Sequence, residues 1–407
     1  MRLIVLGCAA LLGACAHVPG AAPDPAASPQ AMFAQRYPLT PAQRVTTASS
    51  IYLRNLDARI DVFDAEVRGG GDPAARGNLA GALLLRFRII GRIGDGERAL
   101  QLAGEAAASA PELADLQVVH AAVLSAFHRF PEAELALEHA RAAGAADASL
   151  ASLQRDLRMA QGRYELLRED FARSGEPIAD FYELAHRADL RLMQGDLAGA
   201  SRWYRTAQDL YQDVDPLPLA WLYTQQGIAL LRHGLYAQAQ PFFAAAHQRL
   251  PEYALASEHL AECEGQLGHH ERARELYEAV IAQTGNPEFI AALADLEDSA
   301  KRPDAARAAR AAAEQGYRDL LARHRAAYAQ HAAEFLLDRG KADEALVLAR
   351  ENLVLRQDVS SLILMAQAAQ AAGETADACA AVTRIGVLGL HPPELESIAA
   401  LRARCGR

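Results

Sequence analysis

One turn, met again every 33, 34 or 39 residues, constrains this chain more than any other feature in it. The turn residues are Gly94, His128, Gly162, Gly195, Gly234, Gly268, Lys301, Gly340 and Gly373. Five places after them stand Ala99, Ala133, Leu167, Ala200, Ala239, Ala273, Ala306, Ala345 and Ala378, with Leu167 the departure from a small residue. Four places further come Ala103, Leu137, Phe171, Tyr204, Phe243, Tyr277, Arg310, Ala349 and Val382, where only Arg310 is charged. A period of this length means one small unit built many times. Such a unit cannot bury its apolar face alone, so neighbours must stack on one another.

Within each unit apolar residues recur at three- and four-residue spacing, giving every helix one narrow apolar face. A small Ala lets two helices approach closely, and the larger residue one turn later fills the groove beside it. No segment alternates with the period of two that a half-buried strand requires. The clearest unit reads Tyr223-x2-Gln226-Gly227-x2-Leu230, then Gly234, then Ala239-x3-Phe243, Ala246 and Pro251. The next repeats it with Leu260-Ala261, Gly268 and Ala273-x3-Tyr277. These residues resemble the tetratricopeptide repeat, a pair of antiparallel helices. The resemblance implies an all-α fold, a right-handed α-solenoid of about nine units over residues 80–391. Units turning at Gly94, Lys301 and Gly373 match the pattern least, and Arg310 makes the Lys301 unit the weakest. Both 39-residue intervals carry extra residues: Asp213 to Pro218 in one, and a lengthened Ala-rich helix from Pro303 in the other.

The flanking segments read differently. Met1-Arg2, an apolar stretch from Leu3 to Leu12 and Leu12-Gly13-Ala14-Cys15 resemble a bacterial lipoprotein signal over residues 1–14. The resemblance implies that Cys15 carries the lipid and begins the mature chain; Ala16, rather than Asp, after it favours the outer membrane. An ordinary secretory signal with an incidental cysteine is the other reading. Residues 15–39 are rich in Ala and Pro and read as an extended tether. Thr40-Pro41 reads as an N-cap and first-turn proline opening capping helices over 40–79, the first running to about Val67 before Gly69-Gly70-Gly71. At the other end His391-Pro392-Pro393 precedes a last helix to about Arg404, the closing cap over 392–407.

Composition narrows the function classes. A net charge of −10 with no basic stripe argues against nucleic acid as partner. No apolar run reaches the 18 residues of a spanning helix, which leaves the lipid as the only membrane attachment. There is no G-x-S-x-G, no phosphate loop ending in Gly-Lys-Ser/Thr and no H-E-x-x-H; His270-Glu271 is followed by Arg272-Ala273-Arg274. Gly91 to Gly96 is Gly-rich but falls on a repeat turn. No enzyme and no cofactor is expected. Cys263 reads as a small core residue. Cys379 and Cys405, on the last repeat helix and the terminal helix, either pair in an oxidising compartment or stay as two thiols that never meet.

In this family the first helix of each pair lines the concave face and touches partners. Six places before the turn lie Asp156, Asp189, Glu262, Asp295 and Glu334; nine before lie His186, Gln225, His259 and His331; thirteen before lie Tyr182 and Trp221. Glu258 belongs to the same set. The Lys, Arg and Asn of the best-known carboxylate clamps are essentially missing, apart from scattered Arg88, Arg92 and Arg232. The stretch from Ala254 to Ala300 holds ten acidic residues against Arg272 and Arg274. It is either a solvated acidic face or part of a groove, aromatic in the middle and acidic towards the C-terminus, for a basic or amphipathic protein segment. The leading expectation is therefore a non-enzymatic scaffold, lipid-anchored in the bacterial envelope and facing the periplasm. The alternative is a divalent-metal binder or metallochaperone, because His259, Glu262 and Cys263 share a helical face with His269-His270 at the next turn.

Overall fold

The computed structural model describes residues 41, 44–174, 178 and 180–406. The signal-like segment with Cys15, the tether and Thr40 lie outside the described residues. Helix α1 (Ser49–Arg68) precedes nine helix pairs. The first four are α2 (Pro73–Ile90) with α3 (Ile93–Ser109), α4 (Ala114–Ala126) with α5 (Phe130–Ala142), α6 (Asp147–Ala160) with α7 (Tyr164–Ser174), and α8 (Phe181–Met193) with α9 (Leu197–Leu210). Then come α10 (Pro216–Arg232) with α11 (Tyr236–Arg249), and α12 (Ala254–Gln266) with α13 (His270–Thr284). The seventh and eighth pairs share one element: α14 (Pro287–Ser299) pairs with the first part of α15 (Pro303–Asp338), and the rest of α15 pairs with α16 (Ala342–Leu355). The ninth is α17 (Val359–Ala371) with α18 (Thr375–Leu388), followed by a 3-10 turn (Pro393–Ile398) and α19 (Ala399–Cys405). Among the described residues there is no strand, and no helix is long and apolar enough to cross a membrane. The fold is an all-α solenoid.

The repeat is carried by two local facts. Eight of the nine turn residues read from the sequence, His128 and Lys301 included, have positive φ, which ends one helix and starts the next. The small residue five places on is fully buried in every unit, and Leu167 is equally buried. In the fifth unit the pattern shows why: a Cβ on Gly227 would sit 2.5 Å from the Phe243 ring, so only glycine lets α10 and α11 close. Arg310 does not shift its unit. Ala306 keeps its place, and the Arg310 guanidinium pairs with Asp298 and, at 3.7 Å, Asp295. The extra residues of that interval lengthen α15, which changes direction at His324 (φ −138°, ψ 52°), where other units have a loop.

Three expectations at the boundaries need correction. The first turn is at Gly91 (φ 78°), and Gly94 lies inside α3. The Gly91 N–H donates to the Phe87 carbonyl oxygen, so α3 begins one helical turn earlier while Ala99 and Ala103 keep their buried register. The repeats therefore start at Pro73, not at residue 80. Residues 44–48 are not helical, because tertiary bonds hold them extended: Thr47 N–H to the Val214 oxygen at 2.8 Å, and Arg249 to the Arg44 oxygen at 3.0 Å and Thr46 Oγ1 at 2.7 Å. Helix α1 opens only at Ser49. The closing cap is a 3-10 turn followed by a short helix rather than one helix. Cys379 and Cys405 are bonded, with Cα atoms 5.2 Å apart.

The solenoid winds tightly enough that its early turns touch its later junctions. Ile90 and Glu252 carbonyls both accept from the Gln283 side chain, beside the first turn. The second turn packs Phe127 on the His324 ring, centroids 4.7 Å apart. At the third, Gln357 N–H donates to the Gln161 oxygen; at the fourth, His391 N–H donates to the Met193 oxygen at 2.7 Å. The C-terminal cap is gripped by Arg232, bidentate on Glu394. One apolar core runs through all units from Leu56 to Leu401.

Candidate functional site

This winding decides what the first-helix face can do. Among the residues expected to line an open groove, His186, Asp189, Trp221, Gln225, Glu258, His259 and His331 are buried. Tyr182, Glu262, Asp295 and Glu334 are half-buried. The face points inward as expected, but it does not form a continuous open channel. In its middle, Trp221 packs 5.8 Å from Tyr182 and 6.2 Å from Phe181, which also meets Tyr211 at 5.2 Å. Those aromatics are mutual core, not an anchoring surface. Their polar neighbours pair only in part: His186 Nε2 lies 2.6 Å from Asp156 Oδ1 and Tyr204 donates to Asp189, while His186 Nδ1 and Asp156 Oδ2 have no hydrogen-bond partner. Burial pushes the Asp189 carboxyl up to about 6 against the Tyr204 hydrogen bond and the His186 charge. Burial works against the charged His186 ring, yet Asp156 raises it above the ordinary histidine value.

The C-terminal half keeps an opening. A cavity of about 250 Å³ is lined by Glu258, His259 and Glu262 of α12, Glu288 of α14, and His331 and Glu334 of α15. His259 Nδ1 lies 3.1 Å from Glu258 Oε2 and 3.3 Å from Glu262 Oε2, with its ring stacked on Phe243 at 5.6 Å. His331 Nδ1 lies 3.4 Å from both Glu288 Oε1 and Glu334 Oε2. Burial drives the Glu258 carboxyl up to about 8, only partly offset by His259. Burial opposes charge on His259 and His331, but the carboxylates around them win and lift both to about 9. His259 and His331 thus share one partly open cavity with the carboxyl groups of Glu258, Glu262, Glu288 and Glu334, and His270, Asp295 and Asp338 line it as well.

The surrounding charge is already spent inside the molecule. Asp295 faces Arg339 at 3.5 Å and Arg310 at 3.7 Å, and Glu297 is paired with both Arg274 and Arg302. Glu264 accepts from Gln240 and pairs with His269 at 2.6 Å. Glu271, Glu275 and Glu278 are exposed on the second helix α13, paired with Arg302, Arg272 and Arg274 respectively. The acidic excess of residues 254–300 is therefore no single groove surface, and the expected basic-segment receptor lacks that premise. Cys263 is also not part of the cluster. Its thiol donates to the Tyr236 carbonyl oxygen at 3.2 Å, and burial pushes it up to about 12.

Residues 230–296 match the family described as Tetratricopeptide repeat. That stretch carries tetratricopeptide repeats. Among solved structures the chain is similar to the Cut9–Hcn1 hetero-tetramer of APC/C, at 14% identity over 81% of this chain and 63% of that chain, TM-score 0.46. It thus spans less than two thirds of that protein's length. It is also similar to yeast Tom70, at 14% identity over 87% and 93% of the two chains, TM-score 0.37. The TPR2AB domain of yeast Sti1, solved in a pHSP90 complex, shares 14% identity over 56% and 98%, TM-score 0.27. No curated protein matches the chain.

The tetratricopeptide array also contains a feature that the sequence did not announce. A second cavity, about 350 Å³, lies where the first two units meet the sixth to eighth, lined among others by Phe87, Ile93, Tyr253, Leu255, Phe289 and Tyr328. It shares Glu288 and His331 with the acidic cavity. Its walls come from units far apart in the chain, so no periodicity could mark it. Glu288 was equally hidden, because after Asn286-Pro287 an acid in the first turn reads as helix capping.

Proposed function

We propose that the chain is a non-enzymatic scaffold of the bacterial envelope, lipid-anchored through Cys15 and facing the periplasm, that holds an amphipathic segment of another protein. The tetratricopeptide fold is an interaction fold, which supports the general class. The observation that carries the site is the apolar cavity between the first two units and units six to eight. The pocket is mostly apolar, with Phe87, Ile93, Leu255, Phe289 and Tyr328 set beside Arg88, Glu288, Asp319, Arg323 and His331, which suits a segment with one apolar face and one polar face. The internal salt bridges around Asp295 and Glu297 make a strongly basic partner unnecessary. The lipobox-like Leu12-Gly13-Ala14-Cys15 and the Ala/Pro-rich tether after it support placement at a membrane surface.

The test uses the full chain in its bacterial host. Crosslinking in intact cells, followed by isolation from the membrane fraction, should recover one defined partner with the wild-type protein. Ile93→Glu with Leu255→Glu, both half-buried positions, should lose that partner while circular dichroism stays helical. Cys15→Ala should release the protein from membranes and from lipid labelling. An unlabelled, soluble wild-type protein would refute the anchor; partner recovery indifferent to the double substitution would refute the cavity as its seat.

A further inference from the structure

A scaffold has no need of buried His259, His331 and Glu258 gathered with Glu262, Glu288 and Glu334 around one cavity. Burying ionisable groups costs several kcal/mol apiece unless each is well paired. Here the pairing is incomplete. His259 is 7% exposed and its Nε2 has no hydrogen-bond partner; His331 is 3% exposed and neither ring nitrogen makes an aligned hydrogen bond. One oxygen of Glu334 is also unsatisfied. Arg310 and Arg339 line the same cavity, Arg310 paired with Asp298 and Arg339 facing Asp295 at 3.5 Å.

One group within the cavity has the compactness of a ligand set. On α12, Glu258 and Glu262 are one helical turn apart, with His259 beside them, and one donor atom from each lies within 4.8 Å of the others. We propose that Glu258, His259 and Glu262 bind one divalent first-row transition cation, with His331 and Glu334 of α15 lining the same cavity. Imidazole and carboxylate donors suit zinc, cobalt, nickel or manganese, and the absence of a thiolate disfavours soft copper(I). Cys263, the one free cysteine among the described residues, is committed to the Tyr236 carbonyl. The His-x-x-Glu spacing falls on two first helices of the array, at His259/Glu262 and His331/Glu334, and both imidazole–carboxylate pairs line one cavity. The site does not depend on the partner reading, since its readout needs no partner protein.

Untagged full-length protein, freed of metal by chelation and dialysis, provides the test, with zinc or cobalt alone as probe. Titration calorimetry should give one ion per chain, and cobalt should develop visible d–d bands that report imidazole and carboxylate ligation. Glu262→Gln and His259→Gln should each weaken binding at least tenfold, whereas His269→Gln, at an exposed histidine outside the cavity, should leave it unchanged. Should His259→Gln fail to fold, the half-buried Glu262 still decides. No saturable binding, or binding that Glu262→Gln leaves intact, would overturn the proposal.

Discussion

The backbone N–H of Gln357 donates to the carbonyl oxygen of Gln161 at 3.2 Å, tying the junction before the ninth unit to the turn of the third. Beside it, Gly162 (φ 71°) has no room for a side chain: a Cβ would lie 2.5 Å from the Gln357 carbonyl. Gly234 has nearly the same conformation (φ 69°) but nothing within 4 Å. Alanine at either costs about 1–2 kcal/mol for the left-handed backbone alone. Gly162→Ala should therefore destabilise by at least about 1 kcal/mol more than Gly234→Ala in urea unfolding. Equal losses would mean that contact between successive windings contributes nothing.

The turn at Lys301 makes the converse case. Its φ of 61° places an exposed lysine in the conformation that glycine takes in most other units. Lys301→Gly should stabilise the protein by roughly 0.5–1 kcal/mol, after the extra entropy glycine loses on folding. Thermal unfolding would show a small rise in Tm; a fall would contradict the backbone argument.

Asp189 gives the fold a pH dependence of definite sign. Its buried carboxyl, facing Tyr204, His186, Asp156 and Arg232, titrates at about 6, above the ordinary aspartate value. The native state thus holds this proton more tightly than the unfolded chain. The resulting stabilisation is complete below about pH 4 and is lost as pH rises through about 6. Asp189→Asn should remove that component. Between pH 4 and pH 7 the wild type should lose on the order of 2–3 kcal/mol more stability than the variant. Parallel profiles for the two proteins would refute the assignment.

The Cys379–Cys405 bond closes a loop with a sequence separation of 26 across the last repeat and its cap. In the chain-entropy account such a loop adds roughly 3 kcal/mol. Cys405→Ser, or reduction, should lower stability by about that amount, and hydrogen exchange should rise first in residues 393–405. The cap keeps Arg232–Glu394 and the His391–Met193 bond, so exchange in the fifth unit should change little.

What was legible in the residues follows a physical boundary. The left-handed turns and the buried Ala series are local features, so the helix pairs could be read from spacing alone. Gly91 to Gly96 offered three glycines for one turn, and Ala99 with Ala103 pointed to Gly94 because packing register and helix start differ there by one turn. The inward direction of His259, Glu262, His331 and Glu334 was also legible, since it follows from helix periodicity. Their enclosure was not, because it depends on contacts such as Gln161 with Gln357. Charge told least: Asp295 and Glu297 looked free in sequence until Arg310, Arg339 and Arg302 arrived from neighbouring helices.

The most direct measurement of the central claim is site-specific photocrosslinking in intact cells. One probe replaces Leu255 in the apolar cavity; another replaces Val347, exposed on α16 and outside both described cavities. The account predicts that Leu255 traps one partner through a single contiguous segment with an apolar face, and that Val347 does not trap it. The same adduct from both positions, or none from Leu255 alone, would contradict a partner seated between the windings of the solenoid.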